Sequence, residues 1–319
     1  MGVTSRLGHR LRHLDAWLSG WAWASIVANI GIVVTGGVVR LTGSGLGCPT
    51  WPRCTEESFT PHGAYDLHSA IEFGNRMLTY VLVAIAVGTF VAAWQSRRSD
   101  LRIISAIMAL GIPAQAIIGG ITVLTDLNPW IVSLHLLCSM AIIGVAMLFL
   151  QRVRRPAPAA GAARGPLVAL AWSTFVAAWV VLYVGTVVTG AGPHAGDAES
   201  PRNGLDPLQW SQIHADAVFL LIGLTIGLIF AALATHQPAA TVSAVIGLLV
   251  VELGQGLIGF VQYFTDLPVV LVGFHMLGAA LVSAAVTWAV IQVREPATDP
   301  DMALAVTRSP VDRRPPTPT

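Results

Sequence analysis

The sequence predicts an all-α integral membrane protein whose eight transmembrane helices form two parallel-repeat four-helix bundles. Three observations predict this class. Hydrophobic residues make up 54% of the 319 residues and charged residues only 11%, whereas soluble domains carry roughly 25% charged residues. Eight long apolar stretches follow one another along the chain, and a repeat relates its two halves. The lipid bilayer is therefore the expected surrounding, and the net charge of +1 gives no reason to expect a nucleic-acid partner.

Each apolar stretch is close to the ~20 residues that a spanning helix needs. The first stretch follows a basic N-terminus, but it is too long for a secretory signal and lacks a convincing small-residue cleavage site. We therefore expect it to be a retained helix. The predicted helices cover residues 17–39, 67–94, 103–124, 130–150, 167–188, 208–234, 241–264 and 268–292.

The arginines predict the orientation in the membrane, because cytoplasmic loops carry an excess of positive charge. Fourteen of the 18 arginines lie before helix one, between helices two and three, between helices four and five, or after helix eight. These segments and both termini are thus predicted to be cytoplasmic in a bacterial plasma membrane. The loops on the opposite side, here called the outer loops, carry only Arg40, Arg53 and Arg202. The Pro-, Asp- and Arg-rich tail, residues 295–319, is predicted to be disordered.

An internal repeat divides the chain into two halves. Residues 114–137 align without a gap with residues 254–277, at an offset of 140, and "TGSG" at Thr42 resembles "TGAG" at Thr189. Four helices per half return the chain to its starting side, so the repeats are parallel and their pseudo-twofold axis lies along the membrane normal. The predicted halves are residues 1–155 and 156–294, joined by a Pro/Ala/Gly-rich linker. The matched positions include Gln115 with Gln255, Gly119 with Gly259, and His135 with His275.

Four of the nine histidines lie inside predicted helices, one near the outer end of each even-numbered helix. At 1.5 Å per residue, they lie roughly 5–15 Å below the outer surface. Ionisable residues within a bilayer are functional candidates, and two histidines at one depth on neighbouring helices suit bis-imidazole ligation of a haem iron. The alternative is that each histidine only hydrogen-bonds within the bundle. The four are His68, His135, His214 and His275.

Helix two differs chemically from its counterpart. His68, Glu72 and Asn75 share one helix face at i, i+4 and i+7, and Arg76 follows. Matching His214 to His68 gives an offset of 146, and matching it to Asn75 gives 139; both alignments stay open. A buried Glu72 beside a haem can accept protons or polarise water, and the alternative is a Glu72–Arg76 ion pair.

The first outer loop contains two cysteines, Cys48 and Cys54, in a compartment where a disulfide persists. A structural staple and a redox role both stay open. A zinc site has little support, because only His62 lies nearby in the sequence.

Two further side chains border this loop. Arg40, at the end of helix one, and Trp51, within the loop, are expected to cover a cofactor edge, with the arginine facing propionate carboxylates. Cys138, one turn after His135, is predicted to be a packed core thiol.

Three segments and the four helix histidines together resemble the haem A synthase family in its bacterial form. The segments are "VVRLTGSGLGCPTWPRC" (38–54), "HSAIEFGNRMLTY" (68–80) and "GTVVTGAGPHAGD" (185–197), and the likeness covers most of residues 17–292. The resemblance implies an oxidoreductase of respiratory membranes. Such an enzyme oxidises a methyl group of haem O to the formyl group of haem A, in successive hydroxylations, for terminal oxidase assembly.

The resemblance also implies roles for residues. The N-terminal half would bind the substrate haem O, delivered by haem O synthase, and the C-terminal half would hold a haem b. The electron partner and homo-oligomer formation stay open. Glu72 would be catalytic; His135 would ligate the substrate iron, and His214 and His275 the haem b iron; Cys48 and Cys54 match the loop cysteine pair of the family. Arg40 and Arg76 are our further candidates for contact with the cofactor.

The sequence departs from the family in two places. The family often has histidine where this chain has Asn75, so either His68 replaces that ligand or the substrate iron has only His135. The loop after helix five lacks the second cysteine pair of some members, although His194 there matches the family motif.

Two rival interpretations remain. In a transporter, Glu252, Gln255 and Asp216 would line a path, but no helix is visibly broken at mid-membrane. In a di-haem electron-transfer protein, the one-sided Glu72–Arg76 cluster would have no purpose.

Overall fold

The protein is built from eight long α-helices. The computed structural model describes residues 3–61, 66–155 and 165–295, with the backbone alone for residues 3–16. Within those ranges, each helix is long and apolar enough to cross a membrane, which confirms an eight-span membrane protein. The helices are α1 (Val3–Leu41), α2 (Leu67–Gln95), α3 (Ser99–Leu124), α4 (Pro129–Arg154), α5 (Pro166–Ala191), α6 (Pro207–Ala234), α7 (Ala239–Phe264) and α8 (Val269–Arg294). His62, most of the linker, and the tail after residue 295 lie outside the described residues.

The helices extend past the predicted spans mainly at the side that the arginines predict to be cytoplasmic. There α4 continues to Arg154 and α8 to Arg294, because arginine at a helix C-terminus interacts favourably with the helix dipole and can reach polar surroundings. At the outer side, α2, α4 and α6 begin at side-chain caps, supplied by Asp66, Asn128 and Asp206. Capping therefore fixes the outer ends, where the candidate site lies.

The outer turns of the two halves have the same backbone. Asp126 and Leu127 have positive φ, and so do Asp266 and Leu267. In each turn the leucine N–H donates to the carbonyl five residues earlier, at 2.8 Å, which satisfies a carbonyl at the helix end. A shared, sterically unusual turn is what a true structural repeat requires.

The helices pack as two similar groups. Helices α1–α4 form one four-membered ring and α5–α8 a second, and the groups meet where α4 packs on α8, α1 on α8, and α5 on α4. If α1 is matched with α5 and α4 with α8, the contact of α1 with α8 corresponds to that of α5 with α4, and the contact of α4 with α8 corresponds to itself. The arrangement is that expected for a parallel repeat, while the division of the chain at residue 155 stays a prediction.

Buried polar side chains join the two groups. Ser283 on α8 donates to the Met140 carbonyl on α4 at 2.7 Å, and Gln292 donates to Gln151 at 3.1 Å. An apolar cluster that includes Val33, Met140 and Ala280 lies at the same interface. The interface thus combines close apolar packing with satisfied buried donors.

The first outer loop packs closely on its own half because there is a glycine at each of two contacts, one in the loop and one on α3. A Cβ on Gly47 would lie 2.5 Å from the backbone oxygen of His68, and a Cβ on Gly120 of α3 would lie 2.4 Å from the indole ring of Trp51. Only glycine allows so close an approach. The Gly-rich, Trp-containing sequence of the loop is therefore a docking sequence for α2 and α3.

We predict that Gly47→Ala destabilises the protein. The added methyl group meets helix backbone that cannot rotate away, so we expect a loss of roughly 1–3 kcal/mol and a lower melting temperature in detergent. Gly74→Ala is the matched control, because a Cβ at that helical position has nothing within 4 Å. Equal melting temperatures for the two variants would contradict the docking role of Gly47.

Candidate functional site

Three of the four helix histidines pack on a glycine of the preceding helix. A Cβ on Gly119 would lie 3.2 Å from His135, one on Gly185 would lie 3.1 Å from His214, and one on Gly259 would lie 3.4 Å from His275. Each imidazole therefore occupies space that a larger residue would fill. Within the described structure, the Nδ1 atoms of these three rings are buried without a hydrogen-bond partner, an unfavourable state for polar atoms in an apolar interior.

Two glutamines fix the backbone beside two of these histidines. Gln115 donates to the His135 carbonyl at 3.1 Å, and Gln255 donates to the His275 carbonyl at 2.9 Å. Each bond ties an odd-numbered helix to the next one at the level of the imidazole. The repeat paired these glutamines by sequence, but their positioning role became clear only from the contacts.

The second half brings His214 and His275 together. Their ring centroids lie 6.5 Å apart, at an interplanar angle of 73°. A metal–nitrogen distance of about 2 Å puts the centres of two imidazoles on opposite sides of one metal roughly 6 Å apart. The spacing and the buried, unpartnered ring nitrogens fit a haem iron held between these residues.

In the first half, Asn75 stands where the second half has His214. A Cβ on Gly36 of α1 would lie 4.0 Å from the Asn75 amide nitrogen, which parallels the contact between Gly185 and His214. Thr35 donates to the Asn75 side-chain oxygen at 2.7 Å. The contacts thus favour the alignment of His214 with Asn75, and "GGVV" at Gly36 then matches "GTVV" at Gly185.

His68 lies two helical turns closer to the outer surface than Asn75, at the first turn of α2. It is exposed, and its Nδ1 lies 3.0 Å from the Ser44 hydroxyl. Its predicted role as a replacement ligand stays a prediction, and its observed contact is with the first outer loop.

Glu72 is buried, at 5% exposure, and both of its carboxylate oxygens accept hydrogen bonds. The Cys48 N–H donates to Oε2 at 2.7 Å, and Arg76 donates to Oε1 from Nη2 at 2.6 Å and from Nε at 3.1 Å. The ion pair predicted as the alternative is therefore present. These donors offset the cost of burying a carboxylate and fix its orientation.

Arg76 also binds the first outer loop. It donates to the carbonyls of Cys48 at 2.7 Å, Thr50 at 2.9 Å and Arg53 at 3.1 Å. Together with the bonds to Glu72, these contacts match the five N–H donors of a guanidinium group. Arg76 is thus a positioning residue for Glu72 and the loop, and its predicted contact with a cofactor stays a prediction.

Cys48 and Cys54 form a disulfide, as predicted, and both residues are buried, at 0% and 1% exposure. Their sulfur atoms are bonded to each other, so this pair is not a set of zinc thiolates. The third cysteine, Cys138, is free and half-buried.

Arg40 connects the outer ends of the two halves. Its Nε donates to the His194 carbonyl at 2.6 Å and its Nη2 to the Thr189 carbonyl at 2.9 Å. Nearby, the Gly45 N–H donates to the Gly196 carbonyl at 2.8 Å. Two N–H groups of this guanidinium, which was predicted to face propionates, therefore donate to backbone carbonyls of the other half.

His194 lies in that second loop, outside the membrane-spanning segments. Partial burial lowers the pKa of its imidazole below the ordinary value, and the positive charges of Arg40 and Arg202 lower that pKa further. We expect a neutral ring at pH 7.

The polar residues proposed for a transport path do not form one group. Asp216 is exposed and accepts a hydrogen bond from Gln212 at 3.0 Å, Gln255 binds the His275 carbonyl, and Glu252 is buried against Thr225. Each has a separate partner on its own or a neighbouring helix.

These features define a class: a multi-pass helical membrane protein with imidazoles held at one depth by a repeated glycine and glutamine pattern. The sequence model of the COX15-CtaA family, described as cytochrome oxidase assembly protein, matches residues 19–199. The chain belongs to this family.

Relatives named "Heme A synthase" are similar over part of the chain. The protein of Geobacillus thermodenitrificans is 32% identical over 157 residues, which are 46% of this chain and 48% of that one. The protein of Geobacillus kaustophilus (strain HTA426) is 30% identical over 129 residues, 39% of this chain and 40% of that one. The protein of Listeria welshimeri is 26% identical over 154 residues, 44% and 48% of the two chains. The matched segment thus spans about half the length of these relatives or less.

We predict that Arg76→Lys makes the Cys48–Cys54 disulfide easier to reduce. Lysine has three donors and no planar fork, so it cannot hold three loop carbonyls and Glu72 together, and the buried disulfide becomes accessible. We expect reduction by a water-soluble thiol to be faster by about tenfold or more, equivalent to roughly 1.4 kcal/mol of lost protection, measured by maleimide labelling of the released cysteines.

Arg53→Lys is the matched control for this experiment. Arg53 lies in the same loop, and its side chain is exposed, donating only to the Glu56 carbonyl among the bonds described for it. Equal acceleration in both variants would contradict the positioning role of Arg76, because replacing an arginine that does not hold the loop carbonyls would then be enough.

Proposed function

We propose that the protein is a haem A synthase, an oxidoreductase that oxidises a methyl group of haem O to the formyl group of haem A. Membership of the family and the names of the relatives support the reaction. The observation that carries the proposal is the asymmetry between two halves of one fold. Both halves hold a histidine against a glycine and a glutamine, and only the first half adds the Glu72–Arg76 pair beneath a disulfide loop.

The second half would hold the resident cofactor, a haem b, between His214 and His275. When bound, that group supplies one-electron transfer. The residues of the chain supply the ligands, keep the imidazoles oriented through Gly185, Gly259 and Gln255, and exclude water through the apolar core of α5–α8.

The first half would bind haem O as substrate. His135 would be an iron ligand, whereas Asn75, at the position that corresponds to His214, is a poor one. One strong side-chain ligand holds the haem iron less tightly than two such ligands do, and weaker binding suits a substrate that must leave as product. The second half, with two imidazoles, suits a cofactor that stays.

Glu72 would act near the reacting methyl group. Its fixed carboxylate can accept a proton released during the oxidation or orient a water molecule. The Cys48 N–H and Arg76 hold it in place, so its oxygens stay oriented without reorganisation during the reaction.

The cellular setting follows from the same proposal. The arginine distribution supports a bacterial plasma membrane with both termini in the cytoplasm, which puts the histidines near the opposite face. Haem O would come from a haem O synthase, and an electron partner would complete the reaction. Homo-oligomer formation is compatible with these assignments.

The first test is chemical. Protein purified from cells that also make haem O is extracted, and its haems are separated by chromatography with mass detection. Haem A, or its hydroxylated precursor, together with haem b is the expected result. Haem b alone would favour the di-haem electron-transfer protein, and colourless protein would favour the transporter.

We predict that Glu72→Gln lowers haem A formation by roughly 100-fold or more, the usual effect of losing a general acid–base group. Haem b content should stay near that of the unchanged protein, because Glu72 lies in the other half. The matched control is Glu57→Gln, because Glu57 is an exposed glutamate in the first outer loop. Haem A formation at the normal rate in Glu72→Gln would overturn the catalytic role.

We predict that Asn75→His gives the first half a second imidazole opposite His135. Haem bound there should then show the absorption and spin resonance signals of a bis-histidine centre. We expect haem A to be released more slowly, because two strong ligands hold the iron. Asn75→Gln is the control that keeps the amide. An unchanged spectrum in Asn75→His would contradict the assignment of Asn75 to the position of His214.

A further inference from the structure

Glu252 is a buried carboxyl group that the proposed function leaves without a role. It lies near the middle of α7, on the face that packs into the second half, and is 3% exposed. The three ion pairs within the described part of the chain join other residues: Glu72 with Arg76, Asp100 with Arg98, and Glu295 with Arg152. A buried carboxylate without a cation is costly in an apolar medium.

The hydrogen bonds around Glu252 lack one donor. The Thr225 hydroxyl of α6 donates to Oε1 at 2.8 Å. Among the described residues nothing donates to Oε2, and nothing donates to the side-chain oxygen of Gln255, one turn further along α7. Both orphaned atoms are acceptors, and residues three apart lie on one helix face. A proton on Glu252 removes the buried charge and turns one acceptor into a donor.

The titratable groups on the helices around Glu252 are few. On α6 they are His214 and Asp216, on α8 they are His275 and Arg294, and α7 itself adds Tyr263. Glu252 precedes Gly259, the residue beneath His275, by two turns, or roughly 10 Å. Asp216 is exposed and bonded to Gln212, and Arg294 and Tyr263 lie near helix ends. The imidazole pair is therefore the nearest buried ionic or metal-binding feature along the bundle.

The carboxyl group is specific to the second half. At the repeat offsets, Ala86 and Ile112 take the places of Thr225 and Glu252. These two residues help to line a cavity of about 10 Å³ in the first half, so the fold does not need a polar pair at these two positions. The glutamate therefore accompanies the half that holds two facing imidazoles.

We infer that Glu252 is a proton-binding site coupled to the metal centre at His214 and His275. The coupling rests on the proposed function, while the proton site rests on the contacts alone. Glu252 would take up one proton from water at its unpartnered oxygen when an external one-electron donor adds one electron, and so one negative charge, to the haem b that His214 and His275 would hold. Oxidation returns the electron to an external acceptor and the proton to water. Charges this close in an apolar interior interact strongly, so the two steps favour each other.

The first measurement is infrared spectroscopy of the full-length protein in lipid nanodiscs. A protonated carboxyl group has a C=O stretching band that a carboxylate lacks. With a one-electron reductant present, we expect such a band in the unchanged protein and in Glu72→Gln, whose lost carboxylate is paired with Arg76, and its loss in Glu252→Gln. Thr225→Val should keep the band and shift it, because one hydrogen bond is removed. A band unaffected by Glu252→Gln and by Thr225→Val would overturn the proton site.

The second measurement is a redox titration of the bound haem b at several pH values. We expect the midpoint potential of the unchanged protein to fall as pH rises, the same slope in the exposed-loop control Glu57→Gln, and loss of that slope in Glu252→Gln. The same slope in Glu252→Gln would overturn the coupling. Failure to bind haem b would instead sink the proposed function, and the infrared result would still decide the proton site.

If Glu252→Gln does not fold, Thr225→Val decides both tests. The shift of the C=O stretching band then decides the infrared test, and the dependence of the midpoint potential on pH decides the redox test. Loss of the donor to Glu252 disfavours its ionised form, so the slope should move to higher pH. A slope at unchanged pH would count against the coupling.

Discussion

The close approach of neighbouring helices at glycine is the constraint on which the site depends. An imidazole has room at this depth only because Gly119, Gly185 and Gly259 present bare backbone to it. Lipid cannot satisfy a ring nitrogen, so the rings must turn inward, and the space above each glycine is where they fit. The glutamine bonds to the His135 and His275 carbonyls then fix the backbone that carries two of these rings. Glycine, histidine and glutamine thus act as one unit that the repeat uses twice.

The two halves use this shared unit differently. In the second half both sides of the gap carry imidazole, at a spacing that fits one metal ion. In the first half an asparagine replaces one ring, and the free energy of burying a carboxylate is offset by Arg76 and a loop N–H. The disulfide loop thus takes part in the site through its backbone. The repeat gives both halves a common frame, and a few residue differences distinguish the half with two facing imidazoles from the half with the buried Glu72–Arg76 pair.

Much of the fold could be predicted from the sequence. The spans follow from the length of the apolar stretches, and the disulfide follows from the position of two cysteines in one loop. The repeat follows from a gapless offset between two segments. Each of these signals can be read directly from the sequence. The correspondence of Asn75 with His214 did not follow, because the first outer loop is longer than its counterpart and blurs the offset. Only the contacts with Gly36 and Gly185 separate the two alignments. The five bonds of Arg76 were also beyond sequence reasoning, since their acceptors are backbone carbonyls that no residue type reveals.

The hydrogen bonds of Arg40 limit how far the two halves can be treated as separate modules. Its acceptors belong to the loop of the other half, as the acceptor of Ser283 belongs to α4. Either half produced alone would leave these donors without their partners, Arg40 at the outer surface and Ser283 within the buried interface. The two halves are therefore not independent modules, because each supplies acceptors that the other lacks.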